Sequence, residues 1–321
     1  MQWYILCGCV VLIGVNWMAW KQAGSMVRVS SAGNRTAKPE HLSKIQKIWV
    51  LLKGVNLPRR ANETVPSDVD LNYQTHTFSG SQGSLEAWHI PARNSARLAL
   101  LFHGYARNKS TLLAEAKLFH QMGVSCLLVD FPGSGASQGN KVTLGMQEAH
   151  DVMQAVNYAK RHWPDQEQIL FGHSMGAVAM LRAVVDYKLD ANSMILESPF
   201  TTLLETVGAR FKAMGVPPYP LAHLLLFWGS VRIQLNGFRH KPIEYAKLVQ
   251  NSVLQIHGEG DRRVPYKRAL QMFNNLKGEK TFVGFPNCGH ESLAAKDPER
   301  WKTAVVDFLG IPLSHPYRHA A

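Results

Sequence analysis

Acyl transfer by a serine needs a nucleophile, a histidine base, an acid to orient that base, and N–H donors for the oxyanion. Ser174 has the surroundings of a nucleophile. It is the centre of Gly172-His173-Ser174-Met175-Gly176, set between apolar runs over 168–171 and 177–181. A short strand, a glycine-bounded turn and an apolar helix would lift the serine to the tip of a strand and the start of a helix. There the helix dipole and its free N–H groups favour developing negative charge. A second Gly-x-Ser-x-Gly, centred on Ser137, lies several residues past a strand and is followed by Gly139-Asn140-Lys141 rather than by an apolar helix. Ser137 therefore reads as a residue of a connecting loop. The glycines at 133, 135 and 139 do not have dinucleotide-fingerprint spacing.

On such a strand–turn–helix architecture the partners follow in the order serine, acid, histidine. His290 lies in Phe285-Pro286-Asn287-Cys288-Gly289-His290, a loop after the last strand, where a neutral imidazole could take the Ser174 proton and return it to the leaving group. Asp261 follows the preceding strand in His257-Gly258-Glu259-Gly260-Asp261 and would hold the ring N–H of His290. Glu259 and Glu197, the latter at a strand tip, compete for that role. The oxyanion donors should be the Met175 N–H, directly after the nucleophile, and the Tyr105 N–H in the loop His103-Gly104-Tyr105. The Tyr105 hydroxyl is either a further donor or a packing group. His103 and His173 read as structural, and Cys288 as a small loop filler.

Elements must place these groups. Strands are expected over 73–78 and 85–90 as an antiparallel pair, then over 98–102, 124–129, 168–171, 193–196, 253–257 and 281–285. Helices are expected over 111–122, 144–162, 175–187, 265–276 and 298–309. This alternation implies a mostly parallel sheet with helices on both faces. An insertion over about 201–248 breaks it, with Pro217-Pro218-Tyr219-Pro220 and the apolar run 221–228. It is read either as an ordinary buried helix or as a lid with an apolar face for an acyl chain.

The chain has 321 residues, is 46% hydrophobic and carries a formal charge of +12, enough for one α/β domain with an extension. Its Lys and Arg residues form no stripe interleaved with aromatics, which argues against nucleic-acid binding. The four cysteines have neither a disulfide framework nor metal spacing. Residues 1–20 are almost wholly apolar, with Trp3, Tyr4, Trp17 and Trp20 near the ends. They read as an uncleaved transmembrane anchor rather than a signal peptide. Lys21, Arg28, Arg35 and Lys38 follow this segment, which places the catalytic domain on the cytoplasmic side. Residues 21–66 read as a linker with an amphipathic helix over about 41–53, whose stripe of Leu42, Ile45, Ile48, Trp49 and Leu52 should pack on the domain or lie on a membrane, packing being the commoner outcome. The domain itself is expected over 67–321.

These pieces resemble the α/β-hydrolase superfamily over about residues 70–310. The matching stretches are His103-Gly104-Tyr105, the loop from Asp130 to Ser137, the turn at Ser174, Glu197-Ser198-Pro199-Phe200, the segment from Gly258 to Val264, and Gly289-His290. The family usually has an arginine near Phe131-Pro132, which is absent here. The closest look is to the serine-aminopeptidase-like and membrane-anchored esterase branches. The resemblance implies an α/β-hydrolase fold with a small helical lid and a Ser174-His290-Asp261 triad, and no metal or organic cofactor. An ester or thioester of a lipid-like acid is the expected substrate. A peptidase and a non-catalytic membrane-tethered binding domain are the alternatives.

Overall fold

The computed structural model describes residues 2–37 and 41–311; the parts of the expected anchor, linker and domain at 1, 38–40 (Lys38 included) and 312–321 lie outside the described residues. The apolar runs form strands β1 (Gln74–Gly80), β2 (Gly83–Ile90), β3 (Arg97–Phe102), β4 (Ser125–Val129), β5 (Glu167–His173), β6 (Ser193–Glu197), β7 (Ser252–Gly258) and β8 (Lys280–Phe285). They make one sheet in the order β1-β2-β4-β3-β5-β6-β7-β8. β2 is antiparallel to both of its neighbours, and every pair from β4 to β8 is parallel. In chain order the helices are α1 (Gln2–Val27), α2 (Lys44–Lys53), α3 (Leu113–Gln121), α4 (Glu148–His162), α5 (Met175–Tyr187), α6 (Leu203–Met214), α7 (Leu221–Ile233), α8 (Pro242–Tyr245), α9 (Tyr266–Asn275), α10 (Leu293–Lys296) and α11 (Pro298–Leu309).

The continuous apolar strands are explained by burial on both faces. In β3, Leu98, Leu100 and Phe102 join a core with Ala149 and Val152 of α4 and Ala177 and Met180 of α5. Ala99 and Leu101 point the other way, into a core with Phe119 of α3 and Trp301 of α11. A buried cation ties the antiparallel edge to the parallel strands. Lys109 Nζ is 2.5 Å from Asp130 Oδ2 and 2.7 Å from Glu86 Oε1, with Lys109 and Asp130 fully enclosed. Asp130 also accepts the Lys109 N–H at 2.7 Å and the Asn62 amide at 2.9 Å.

Three boundaries differ from the sequence reading. The N-terminal helix does not end at residue 20 but continues to Val27, because Gln22, Ala23 and Val27 are buried against the rest of the protein. The segment after it is not a slack linker. Isolated bridges pair Arg28 with Lys141 and Ser30 with Pro58, and the Val29 N–H donates to the Asn140 carbonyl at 2.8 Å. α2 is capped by Ser43, whose side chain accepts from the Gln46 N–H, but its stripe does not pack on the domain: Ile45, Ile48, Trp49 and Leu52 are exposed. The insertion forms α6 and α7 between β6 and β7, as expected from its position.

Candidate active site

The strand–turn–helix around Ser174 is built by close backbone approach. A Cβ on Gly176 would lie 2.1 Å from the Phe102 carbonyl oxygen, and one on Gly172 would lie 2.4 Å from the Ala177 nitrogen. No larger residue fits where β5 turns into α5 against the end of β3. Ser174 has φ 52° and ψ −107°, a conformation that L residues rarely adopt. Its N–H is held by the Glu197 carbonyl at 2.8 Å.

His290 Nε2 lies 2.9 Å from Ser174 Oγ, and His290 Nδ1 lies 2.6 Å from Asp261 Oδ2. Asp261 is almost fully enclosed, and its other oxygen accepts the N–H groups of Arg263 at 2.7 Å and Val264 at 3.0 Å. Burial pushes its carboxyl up, but the hydrogen bond and charge of His290 and the Val264 N–H outweigh that and hold it below the usual carboxylate range. The acid and histidine loops meet backbone to backbone. The Gly260 N–H donates to the Cys288 carbonyl at 2.8 Å, and a Cβ on Gly258 would lie 2.4 Å from the Gly289 carbonyl oxygen. Thus residues 174, 261 and 290, distant in sequence, form one hydrogen-bonded relay.

Met175 opens α5 directly after Ser174, Tyr105 lies in the loop after β3, and among the described residues neither backbone N–H donates to a protein acceptor. The Tyr105 hydroxyl is committed elsewhere: it donates to the Met26 carbonyl of α1 at 2.7 Å. His103 is enclosed; its Nδ1–H donates to the Gly104 carbonyl at 2.8 Å and its Nε2 accepts the Phe131 N–H at 3.1 Å. The other serine, Ser137, is buried, accepts the Glu86 N–H at 2.8 Å and donates to the Asp130 carbonyl at 2.7 Å. It staples a loop. Cys288 fills the second core.

Of the competing acids, Glu259 is exposed and Glu197 is fully buried. Glu197 accepts the Leu293 N–H at 3.2 Å and the Trp301 indole N–H at 3.3 Å. Beside it lies a residue that sequence reading missed. Glu115 of α3 is fully buried and accepts the Ser292 hydroxyl at 2.6 Å. Burial pushes Glu115 up to about 7, against the Ser292 hydrogen bond. Burial and then the neighbouring Glu115 charge push Glu197 well above the usual range. This carboxyl pair grips the two residues that follow Glu291, and so carries the histidine loop.

Arginines were also missed. Arg35 Nη1 donates to the Ala106 carbonyl at 2.9 Å, Arg60 and Arg107 line a cleft with Tyr105 and Ala106, and Arg263 leaves the acid loop. Burial and then neighbouring guanidinium charges lower the pKa of Arg35 and Arg107. Among the described residues none of these four forms an ion pair with a carboxylate. Beside the inserted helices, a cavity of about 730 Å³ is lined by apolar residues such as Phe200, Leu204 and Ala222 and by the charged residues Glu205, Lys212, Arg262, Arg263 and Arg268.

The fold is shared with known proteins. The family model for serine aminopeptidase, S33, matches residues 93–235. Among solved structures, the Pyrococcus furiosus esterase Pf2001 superposes with a TM-score of 0.66 at 21% identity, over 79% of this chain and 97% of that one. The chain has the α/β-hydrolase fold. Among curated proteins, the chain is 24% identical over 228 residues to the uncharacterized protein YqkD of Bacillus subtilis, covering 70% of this chain and 75% of that one. It is 24% identical over 312 residues to the lysophosphatidylserine lipase ABHD12 of Danio rerio, covering 85% of this chain and 78% of that one. The chain spans from 52% to 78% of the length of such relatives.

Proposed function

We propose that this hydrolase cleaves an acyl ester or thioester of a lipid-like acid through a covalent acyl-enzyme. The observation that carries the reading is the relay from Ser174 Oγ to His290 Nε2 at 2.9 Å and from His290 Nδ1 to Asp261 at 2.6 Å. His290 takes the hydroxyl proton as Ser174 Oγ bonds to the acyl carbon, and Asp261 stabilises the imidazolium that results. The Met175 and Tyr105 N–H groups receive the oxyanion. Collapse of the tetrahedral intermediate breaks the bond to the leaving group, which takes the proton from His290. Water, deprotonated by the same imidazole, then releases the acid and restores Ser174.

Three features support a lipid-like substrate. The cavity beside the inserted helices is on the scale of a small-ligand pocket, with a largely apolar wall bordered by Glu205, Lys212 and three arginines. The unneutralised arginines on the Tyr105 side suit an anionic leaving group. Relatives named as lysophosphatidylserine lipases act on such a molecule. α1 is long and apolar enough to cross a membrane, and the most apolar stretch of it has no burial inside the protein, which supports an N-terminal anchor; Lys21, Arg28 and Arg35 after that stretch favour the cytoplasmic side for the domain.

Labelling by a fluorophosphonate probe tests the mechanism. The wild-type chain should label, Ser174→Ala should not, and Ser137→Ala should retain labelling if it folds. Labelling that survives in Ser174→Ala rejects the nucleophile. A preference for aminoacyl amides over long-chain esters in the same preparation would move the substrate to peptides.

A further inference from the structure

The lid helix is fastened to the N-terminal helix. Trp228 of α7 donates its indole N–H to Asn16 Oδ1 at 3.1 Å, and its ring meets Trp20 edge-on at 5.3 Å. One turn later, Arg232 Nε donates to the Trp20 carbonyl at 2.9 Å, and its guanidinium lies 3.7 Å from the Trp20 ring centroid. Gly24 makes room for it: a Cβ there would lie 2.6 Å from Arg232 Cζ. A further groove is lined by Leu12, Ile13, Asn16, Trp17, Trp20 and Trp228.

These contacts set a depth. Asn16 lies four residues inside the apolar end of α1 at Trp20, about 6 Å along the axis at 1.5 Å per residue. If the apolar part of α1 is in a bilayer, Trp228 is about one helical turn below the edge of that bilayer. Asn16 is the polar residue that such a position makes costly, and the Trp228 indole satisfies its carbonyl oxygen. The rest of α7 agrees. Ala222, Leu225 and Leu226 are buried, whereas Phe227 is 49% exposed and Val231 is 45% exposed.

α2 independently presents the same kind of surface. Ile45, Ile48, Trp49 and Leu52 form one stripe and all are exposed, with Trp49 at 52%. Lys44, Lys47 and Lys53 border the stripe, and Lys53 Nζ lies 4.5 Å from the Trp49 ring centroid. An apolar stripe edged with lysines is the composition of a helix lying in the headgroup layer. α2 is joined to α1, because the Gln22 side chain donates to the Leu51 carbonyl at 2.8 Å and the Val55 N–H donates to Ser25 Oγ at 3.1 Å. It also reaches the lid, where Lys47 Nζ donates to the Ala213 carbonyl at 3.4 Å.

We propose that α7 and the outward stripe of α2 are seated in one leaflet of a lipid bilayer beside α1, so that the lid receives its acyl substrate from the membrane. This rests on the reading of α1 as an anchor and of Ser174 as the nucleophile. Leu204 of α6 and Ala222 of α7 line the cavity, so the inserted helices that would meet the leaflet also form part of its wall.

The test uses the full chain in phosphatidylcholine vesicles containing phosphatidylglycerol. Flotation of the wild type with vesicles reports the anchor, and Ser174-dependent turnover of a water-soluble short-chain ester reports the nucleophile. Two double variants, Phe227→Ser with Val231→Ser and Ile48→Ser with Trp49→Ser, should keep short-ester turnover within about twofold. They should lose about tenfold or more on a long-chain ester embedded in the vesicle, a difference of about 1.4 kcal/mol. Equal rates on the embedded ester, or equal losses on both esters, overturn the proposal. Should the variants fail to fold, Phe227→Cys in a Cys7→Ser, Cys9→Ser background, labelled with a fluorophore, decides. Quenching by brominated lipid supports the seat. Quenching by aqueous iodide alone, or burial of the label in a dimer of this chain, overturns it.

Discussion

Ser174 holds φ 52° at a cost of about 1–3 kcal/mol for a non-glycine residue. The glycines at 172 and 176 and the bond to Glu197 hold it there. This much was legible in sequence, because close packing of a strand on a helix demands glycine at fixed spacing. His290 and Asp261 were legible for a related reason: each follows a parallel strand that ends on the same carboxyl edge of the sheet as β5. The Glu115–Glu197 pair was not, since nothing local marks a carboxylate on α3 as a neighbour of the distant tip of β6. The pair has a consequence for stability. Glu115 binds its proton more tightly in the folded chain, up to about 7 against an ordinary 4.5. Stability from this group is therefore full below about pH 4.5 and is lost as pH rises through about 7. Glu115→Gln keeps an acceptor for Ser292 and removes the titration. Its melting temperature should fall less between pH 4.5 and 7 than that of the wild type, whose slope also includes Asp151, likewise raised to about 7. Identical slopes in the two proteins would reject the assignment.

At the level of elements, strand existence and order followed from apolar runs, while helix ends followed from contacts that no local pattern encodes. α4 begins at Glu148 rather than near 144 because Glu148 turns back to accept the Thr143 and Gly145 N–H groups at 2.8 and 2.9 Å. α1 runs past its apolar stretch because its last turns are buried on the domain. The amphipathic stripe of α2 was visible, but the side it would face was not, since periodicity records a stripe and not what covers it. Beside the β2–β4 ladder, one enclosed cation joins the loop at Lys109 to β2 and to the end of β4. Lys109→Met should therefore destabilise the chain by about 3–5 kcal/mol, because it leaves the Asp130 carboxylate buried without a counter-charge. Urea denaturation in detergent micelles measures this, and a loss under about 1 kcal/mol would show that the ion pair does not hold the edge.

On the scale of the whole molecule, a net charge of +12 gives little by itself, but Arg35, Arg60, Arg107 and Arg263 gather part of it beside the site. Their convergence was not legible, because the four come from four separate loops. Arg107→Gln should raise KM for an ester with an anionic headgroup by about tenfold, or about 1.4 kcal/mol, and leave kcat/KM for a neutral ester of the same acyl chain unchanged. Equal effects on both esters would assign Arg107 a structural role instead. The bond from the Tyr105 hydroxyl to the Met26 carbonyl has a separate consequence. It ties the N-terminal helix to the loop that follows β3. Cutting the chain after Trp20 would sever Asn16 from Trp228 and unseat the Arg232 stack. Cutting it after Val27 would also leave Tyr105 without its acceptor. A fragment without these residues should therefore have looser inserted helices and a looser Tyr105 loop, and its rates should differ from those of the full chain.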